Sequence, residues 1–174
     1  MTTVVVDSTV LIYLARLGDL DLLGSLFDRV IVPEPVYDEV VKTGHEEDYR
    51  DAIAVEEAMN EFMEIVELSD DVARQTGQIQ DTADLGRGEA AAMALARHHD
   101  GQCLTDDHAA RTTAESVGLE IGGTIFVLLE ALTEGQLSFK AYESRIDQLA
   151  NGGFRMSASL YRRALEAGKE ISEE

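Results

Sequence analysis

Short runs of aliphatic and β-branched residues recur along the chain, and each is bounded by residues that favour turns. The first run, Thr2–Val6, stops at Asp7, and the second, Val30–Val32, stops at Pro33. Runs of this length and composition are typical of strands buried in a parallel sheet. Further segments with an apolar or alternating pattern predict three more strands, so the full set is 3–6, 30–32, 64–68, 102–105 and 119–121.

Helical periodicity fills the segments between these runs. Residues 9–17 and 20–27 carry apolar positions at helical spacing, and the alanine-rich stretch Glu89–Arg97 is the strongest helical signal. Residues 81–88 (DTADLGRG), which contain two glycines, are predicted to form a loop. The remaining predicted helices are 35–43, 46–62, 70–80, 108–117, 125–133, 138–150 and 157–168.

Strands that alternate with helices along the sequence indicate an α/β fold. We expect a three-layer α/β/α sandwich whose central parallel sheet has four to five strands. A chain of 174 residues with 45% hydrophobic residues is long enough to bury one sizeable core. We therefore predict a single domain over residues 1–174, with the C-terminal helices (about 138–168) packed on that domain.

The chain is strongly acidic, with 34 Asp and Glu against 14 Lys and Arg and a formal net charge of −20. This charge opposes nucleic-acid binding, which depends on Lys and Arg displacing counterions from phosphates. The acidic residues are scattered along the whole sequence rather than gathered in one tail. Their distribution favours a halophilic adaptation, in which molar salt screens the repulsion between carboxylates.

Several functional classes are disfavoured by what the sequence lacks. There is no apolar run of about 18 residues, so we expect no membrane span. Met1 leads directly into a predicted strand, so we expect no signal peptide and a cytoplasmic location. Cys103 is the only cysteine, which excludes an internal disulfide and a thiolate zinc site. The absence of GxGxxG and GxxxxGKS motifs argues against a nucleotide cofactor.

Acidic residues follow two of the predicted strands at the point where each strand ends. Asp7 follows the first strand, and the pair Asp106 and Asp107 follows the strand 102–105. The carboxyl ends of parallel strands meet at one edge of a sheet, which is where ligands bind in this fold class. We therefore expect these carboxylates to lie close together. The alternative for Asp7 is a purely structural role as N-cap of the next helix.

A further carboxylate, Glu89, begins the alanine-rich helix. Met93 and Ala96 lie on the same face as Glu89, which places it on an apolar, inward-facing stripe. Acidic side chains are rarely buried unless they are paired or bind a cation. The alternative for Glu89 is a position in the first helical turn, where a carboxylate stabilises the helix dipole.

Carboxylates that converge at one sheet edge repel each other, and a hard divalent cation relieves this repulsion. Mg²⁺ and Mn²⁺ prefer oxygen ligands, usually a few carboxylates together with water. Such an ion activates a bound water and stabilises charge on a phosphoryl oxygen. No Ser-His-Asp arrangement competes with this interpretation. The acidic constellation thus predicts metal-dependent hydrolysis of a phosphodiester.

Four segments in order carry a resemblance to a known family: VVVDSTVLIYLARLGDLDLL, VIVPEPVYDEV, GRGEAAAMALA and CLTDDHAAR. Together they resemble the PIN-domain family, and more narrowly its prokaryotic branch related to VapC-type toxins. The tail GGFRMSASLYRRAL is similar to the same branch. The resemblance implies a ribonuclease site of three or four acids that uses Mg²⁺ or Mn²⁺. It also implies an RNA substrate, an antitoxin partner and a homodimer.

The resemblance assigns the acidic residues individually. Asp7 matches the acid that ends the first strand, and Glu39 matches the helix acid in VYDEV. Glu89 matches the third acid, and the T-x-D pattern selects Asp107 as the fourth. Asp106 directly follows the strand and is kept as a ligand that binds the metal through water. The implied metal set is therefore Asp7, Glu89, Asp107 and Asp106, with Glu39 as an additional catalytic acid.

Neighbouring polar residues have implied supporting roles. Ser8 and Thr9 match small hydroxyl residues that orient the first acid, and Thr105 supplies a supporting hydroxyl. Arg87 and Arg111 are expected near the same edge of the sheet. Each of these arginines either forms a surface ion pair or contacts an RNA phosphate.

Two functional hypotheses follow. The first is a divalent-metal-dependent endoribonuclease, the toxin of a toxin–antitoxin pair, which is motivated by the four acids in family order. The alternative is a non-catalytic PIN-like module that binds nucleic acid or protein, which is motivated by the net charge of −20 and the scarcity of Lys and Arg.

Overall fold

The computed structural model of the chain describes residues 1–42 and 50–174. Its strands are β1 (Thr3–Val6), β2 (Arg29–Pro33), β3 (Met63–Val66), β4 (Gln102–Leu104) and β5 (Ile121–Gly122). The helices of the first part of the chain are α1 (Ser8–Leu17), α2 (Asp21–Leu26), α3 (Glu34–Tyr37), a π-helix (Asp38–Lys42) and α4 (Arg50–Glu61). The later helices are α5 (Asp70–Ala83), α6 (Arg87–His98), α7 (His108–Ser116), α8 (Thr124–Thr133), α9 (Phe139–Asn151) and α10 (Ala158–Glu173).

The five strands form one parallel sheet in the order β3-β2-β1-β4-β5. The prediction of an α/β fold with a central parallel sheet is confirmed. The central strand β1 lies between β2 and β4, and Val6 of β1 is in register with Leu104 of β4. The N–H of Asp7 donates to the carbonyl of Leu104 at 2.9 Å. This register places the residues that follow β1 and β4 side by side at the carboxyl edge.

Some element boundaries differ from those predicted from the sequence pattern. The predicted loop 81–88 is wrong at both ends, because α5 continues to Ala83 and α6 begins at Arg87. Asp84 ends α5 in the left-handed conformation (φ 52°), and Gly86 takes the N-cap position of α6. The connection is therefore short, and the two helices lie in contact.

Two other segments depart from the predicted boundaries. The helix predicted over 35–43 is a short α-helix that continues as the π-helix Asp38–Lys42, with Lys42 paired to Asp38 at 3.0 Å. The strand predicted over 119–121 begins two residues later, because β5 covers Ile121–Gly122. Part of the helix predicted over 46–62 and the stop at Gly44 lie outside the described residues.

Contacts divide the chain into two compact units, Met1–Gly123 and Thr124–Glu174. In the first unit, helix α6 lies against β1, β2 and β4, and all side chains from Ala90 to Ala96 are buried. Its alanines let the helix axis approach the sheet closely, because a methyl group occupies little space between the layers. This packing fixes where the beginning of α6 lies relative to the end of β1.

In the second unit, α8, α9 and α10 pack pairwise against one another. Tyr142 of α9 is fully buried, and its hydroxyl donates to the carbonyl of Ala164 at 2.7 Å. Gly168 of α10 lies directly against the Tyr142 ring. No helix within residues 1–42 and 50–174 combines the length and apolar character needed to cross a membrane.

Two mid-helix glycines are expected to respond in opposite directions to replacement by alanine. Gly168→Ala places a methyl group in the Tyr142 ring, which its hydrogen bond to Ala164 holds in place, so we expect a loss of about 1–3 kcal/mol in the free energy of unfolding. Gly77→Ala meets no atom within 4 Å, so helix propensity should raise stability by about 0.5–1 kcal/mol. Chemical denaturation of both variants measures the difference, and a stabilised Gly168→Ala protein contradicts the described α9–α10 packing.

Candidate functional site

Asp7 lies at the carboxyl end of β1 and is 1% exposed. It is the N-cap of α1, and its Oδ1 accepts a hydrogen bond from the Ser8 N–H at 2.7 Å. Its Oδ2 accepts a hydrogen bond from the Thr105 hydroxyl at 2.9 Å. The capping role considered from the sequence is therefore present. It leaves the carboxylate at the edge of the sheet, where the other acidic residues lie.

Burial is the main reason that the pKa of Asp7 is raised from 3.8 to about 7. The hydrogen bonds from the Ser8 N–H and the Thr105 hydroxyl lower the pKa, while the charges of Glu89 and Glu39 raise it further. Near neutral pH the Asp7 carboxyl is thus divided between its protonated and ionised forms. A cation beside it would favour the ionised form.

Glu39 lies on the π-helix, and the Ser8 hydroxyl connects its carboxylate to that of Asp7. The Ser8 hydroxyl donates to Glu39 Oε1 at 3.3 Å and lies 3.5 Å from Asp7 Oδ1, so one side chain links the two acids. A Cβ atom on Gly88 would lie 3.1 Å from Glu39 Oε2 and 3.7 Å from Asp7 Oδ1. The beginning of α6 therefore faces both carboxylates, and the absence of a side chain at Gly88 leaves space beside them.

Glu89 occupies the third position of α6, and its Oε2 accepts a hydrogen bond from the Gly86 N–H at 3.0 Å. The side chain is half-buried. Burial raises its pKa most, and the charges of Asp107 and Glu39 raise it further, against the lowering effect of the Gly86 N–H. Glu89 therefore caps the helix and also lies within electrostatic range of Asp107 and Glu39.

Asp107 is the N-cap of α7, and its Oδ1 accepts a hydrogen bond from the Ala110 N–H at 2.8 Å. Its own N–H donates to the Thr105 hydroxyl oxygen at 3.2 Å. Because the Thr105 hydroxyl donates to Asp7, this single threonine connects the residues that follow β1 and β4. The adjacent Asp106 has a different environment: its Oδ1 lies against Gly123.

Three of the four acids therefore cap helices. Asp7, Glu89 and Asp107 each accept a hydrogen bond from a backbone N–H at or next to the N-terminal end of α1, α6 or α7. The positive end of a helix dipole stabilises a nearby carboxylate. The three helix N-termini thus reduce the repulsion among the acids and fix the position of each side chain.

The donor chemistry of this group suits a hard divalent cation, since all of its polar groups are carboxylate or hydroxyl oxygens. The space beside Gly88 borders two of the carboxylates. Within residues 1–42 and 50–174, however, no three His, Cys, Asp or Glu side chains are grouped closely enough to hold an ion. Binding would therefore require these side chains to turn toward a shared position.

The other predicted residues occupy varied positions. The Thr9 hydroxyl is buried and makes no hydrogen bond to any residue in the described part of the chain. Arg87 is exposed and lines an open groove of about 650 Å³ together with Glu39 and Gly88. Arg111 lies beside Gly123, and its Nε is buried without a hydrogen bond to a described residue.

Sequence reasoning missed the role of the two glycines that flank Arg87. Gly86 supplies the N–H that Glu89 accepts, and Gly88 leaves the space beside Asp7 and Glu39. The only signal in the sequence was the G-R-G triplet directly before Glu89, which had suggested a loop.

Comparisons with known proteins agree with this architecture. A model of the PIN-domain family matches residues 3–170, whereas a comparison with curated proteins finds no match. The chain is similar in fold to a chain in the crystal structure of VapBC2 from Rickettsia felis bound to a DNA fragment from their promoter. That similarity has 10% identity and a TM-score of 0.53, and it covers 70% of this chain and 98% of that chain. A chain in a toxin-antitoxin complex from Klebsiella pneumoniae is 16% identical with a TM-score of 0.46, covering 60% of this chain and 86% of that chain.

The raised pKa of Asp7 makes the stability of the metal-free protein depend on pH. The folded protein keeps a proton on Asp7 up to about pH 7, whereas the unfolded chain releases it near pH 3.8, so stability falls as the pH rises between these values. Asp7→Asn removes this contribution. In EDTA, we expect the variant to gain up to about 4 kcal/mol relative to wild type between pH 4 and 8. Urea denaturation across this range measures the gain, and parallel pH profiles for the two proteins would contradict it.

Proposed function

Since the chain belongs to the PIN-domain family, whose members are generally nucleases, we propose that it is a divalent-metal-dependent endoribonuclease. We further propose that it acts as the toxin of a toxin–antitoxin pair. The observation that supports the activity most strongly is the buried carboxylate of Asp7 with Glu39 and Glu89 close enough to raise its pKa. A group of this kind is costly to bury without a counter-charge.

The residues proposed to hold the ion are Asp7, Glu89 and Asp107, with Glu39 completing the acidic set. When bound, Mg²⁺ or Mn²⁺ would activate a water molecule and stabilise charge on the phosphoryl oxygens of RNA. Ser8 links the Asp7 and Glu39 carboxylates by its hydroxyl, within 3.5 Å of both.

Thr105 is proposed to set the distance between Asp7 and Asp107, because its hydroxyl donates to the first side chain and accepts from the backbone of the second. Protonation of Asp7 competes with cation binding, since a carboxylate must be ionised to act as a ligand. We therefore expect metal affinity to increase with pH through the range near 7 in which Asp7 titrates.

The proposed partners are an RNA substrate, an antitoxin protein and a second copy of the chain. The antitoxin partner rests on the family resemblance, and the similarity in fold to a chain of the VapBC2 structure agrees with that resemblance. The homodimer rests on the family resemblance, and light scattering of the purified protein tests it. The proposed cytoplasmic location is the compartment in which an RNA-cleaving toxin would meet its substrate.

A non-catalytic binding module is the second candidate function. The net charge of −20 favours it, as does the absence of a closely grouped metal-ligand set within residues 1–42 and 50–174. Calorimetric titration with Mn²⁺ distinguishes the two functions. Binding that is lost in Asp7→Asn supports the nuclease, whereas no binding by the wild type supports the non-catalytic module.

The adjacent acids Asp106 and Asp107 provide a matched test of the proposed site. Asp107→Asn removes a carboxylate whose charge reaches Glu89, so we expect RNA cleavage with Mg²⁺ or Mn²⁺ to fall at least about 100-fold. Asp106→Asn removes a carboxylate that lies against Gly123, so we expect the cleavage rate to fall less than about fivefold. Cleavage of a labelled RNA measures both rates. Equal losses in the two variants would favour the water-mediated role for Asp106.

Glu39 and Asp38 form a second matched pair on the π-helix. Glu39→Gln removes a charge that acts on both Asp7 and Glu89, so we expect cleavage to fall at least about tenfold. Asp38→Asn alters a surface residue paired with Lys42 and serves as the control for a change of charge on this helix. A Glu39→Gln protein that cleaves RNA as fast as Asp38→Asn contradicts the proposed role of Glu39.

A further inference from the structure

The negative charge of the chain is distributed unevenly between the two units. Met1–Gly123 contains eight Lys and Arg and 26 Asp and Glu, for a net charge of −18. Thr124–Glu174 contains six Lys and Arg and eight Asp and Glu, for a net charge of −2. The second unit therefore repels a polyanion less than the first unit does.

Within the second unit, residues 148–165 (QLANGGFRMSASLYRRAL) contain no acidic residue and three arginines. This is the longest stretch of the chain without Asp or Glu, and we call it the acid-free segment. It covers the end of α9, the connection to α10 and the first two turns of α10.

The three arginines of the acid-free segment are all exposed. Arg155 lies in the connection, and Arg162 and Arg163 lie on the outer face of α10, opposite the buried Ala164 and Gly168. None of the three has a carboxylate of a described residue within 4.0 Å. Three arginines elsewhere in the chain are paired: Arg16 with Asp51 at 3.0 Å, Arg29 with Glu64 at 2.8 Å and Arg74 with Asp71 at 2.6 Å.

The other two arginines considered for RNA contact have less favourable surroundings. Arg87 lines a groove whose wall also carries Glu34, Glu39 and Glu67. The Nη2 atom of Arg111 and the Oδ1 atom of Asp106 both lie against Gly123, so a carboxylate shares its position. Both side chains are therefore close to negative charge that would repel a phosphate. The acid-free segment contributes no carboxylate of its own, and the carboxylate of Asp147 contacts it by accepting a hydrogen bond from the Tyr161 hydroxyl rather than from an arginine.

We propose that the acid-free segment binds the sugar-phosphate backbone of RNA through Arg155, Arg162 and Arg163. A guanidinium group presents paired N–H donors that match two phosphate oxygens, and contacts of this kind carry no base specificity. The choice of RNA rests on the proposed ribonuclease function. Charges more than about 8–10 Å away are largely screened at physiological salt, so exposed guanidinium groups can attract phosphate locally in an otherwise acidic protein.

The experiment measures how binding of a fluorescein-labelled single-stranded RNA depends on KCl concentration, by fluorescence anisotropy with EDTA present to prevent cleavage. The test protein is the full chain carrying Arg155→Gln, Arg162→Gln and Arg163→Gln. We expect its affinity near 100 mM KCl to fall at least about tenfold and its salt slope to decrease by about two, because three phosphate contacts are lost.

Two further proteins control for net charge and for side-chain identity. The first carries Arg74→Gln, Arg97→Gln and Lys169→Gln, which removes three exposed positive charges outside the segment, and its affinity should change less than about threefold. The second replaces the three segment arginines by lysine, which should restore most of the salt slope because the charge is kept. Circular dichroism confirms that each protein is folded.

The possible outcomes separate this inference from the proposed function. Wild-type protein that binds no RNA, or equal losses in the segment and control triple variants, would overturn the inference. A change in oligomeric mass confined to the segment variant, with RNA binding unaltered, would overturn it in favour of contact with an acidic protein surface. If the segment binds RNA but wild-type protein with Mn²⁺ cleaves none, the inference stands and the proposed nuclease fails. If Asp7→Asn abolishes cleavage but the segment variant binds RNA normally, the proposed nuclease stands and the inference fails.

Discussion

The burial of the Asp7 carboxyl beside other acids, at the carboxyl edge of the sheet, is the constraint that the surrounding structure must satisfy. Asp7 is almost completely buried, and the charges of Glu39 and Glu89 make its ionisation more difficult. Three helix N-termini and the Thr105 hydroxyl counteract this effect through hydrogen bonds to the acids. The pKa of about 7 shows that the compensation is incomplete, so the fold holds a carboxyl that a cation would ionise.

Close packing of α6 on the sheet makes this arrangement possible. The alanine side chains of the helix are buried against β1, β2 and β4, so its N-terminal turn meets the end of the central strand. At that point the chain has Gly88, where any larger side chain would approach the Glu39 carboxylate and Val36. Small residues thus serve two purposes in one helix, since they allow close packing along its length and leave open space at its beginning.

Charge is organised at two scales in this protein. Locally, three of the four acids of the site accept hydrogen bonds from backbone N–H groups, and Glu39 accepts one from the Ser8 hydroxyl. Over the whole chain, the acids are concentrated in Met1–Gly123, and the acid-free segment of the second unit presents three exposed arginines. Both properties would serve the proposed ribonuclease, which must concentrate negative charge around a metal and still bind a polyanion.

The sequence by itself determined the alternation of strands and helices and the positions at which acids follow β1 and β4. Those features are local: hydrophobic periodicity defines the elements, and parallel strands necessarily end at one edge. Whether Asp7 was a cap or a member of an acidic group could not be decided locally, and the structure shows that it is both.

Only the tertiary structure separated Asp106 from Asp107 and gave Gly86 and Gly88 their places beside the carboxylates. Consecutive side chains diverge according to the neighbours supplied by distant segments, here Gly123 for Asp106 and Thr105 with α7 for Asp107. The depth of burial that raises the pKa of Asp7 likewise depends on helices contributed from far along the chain. No sequence pattern encodes these long-range contacts directly, because they arise when α6 and α7 pack around the end of the central strand.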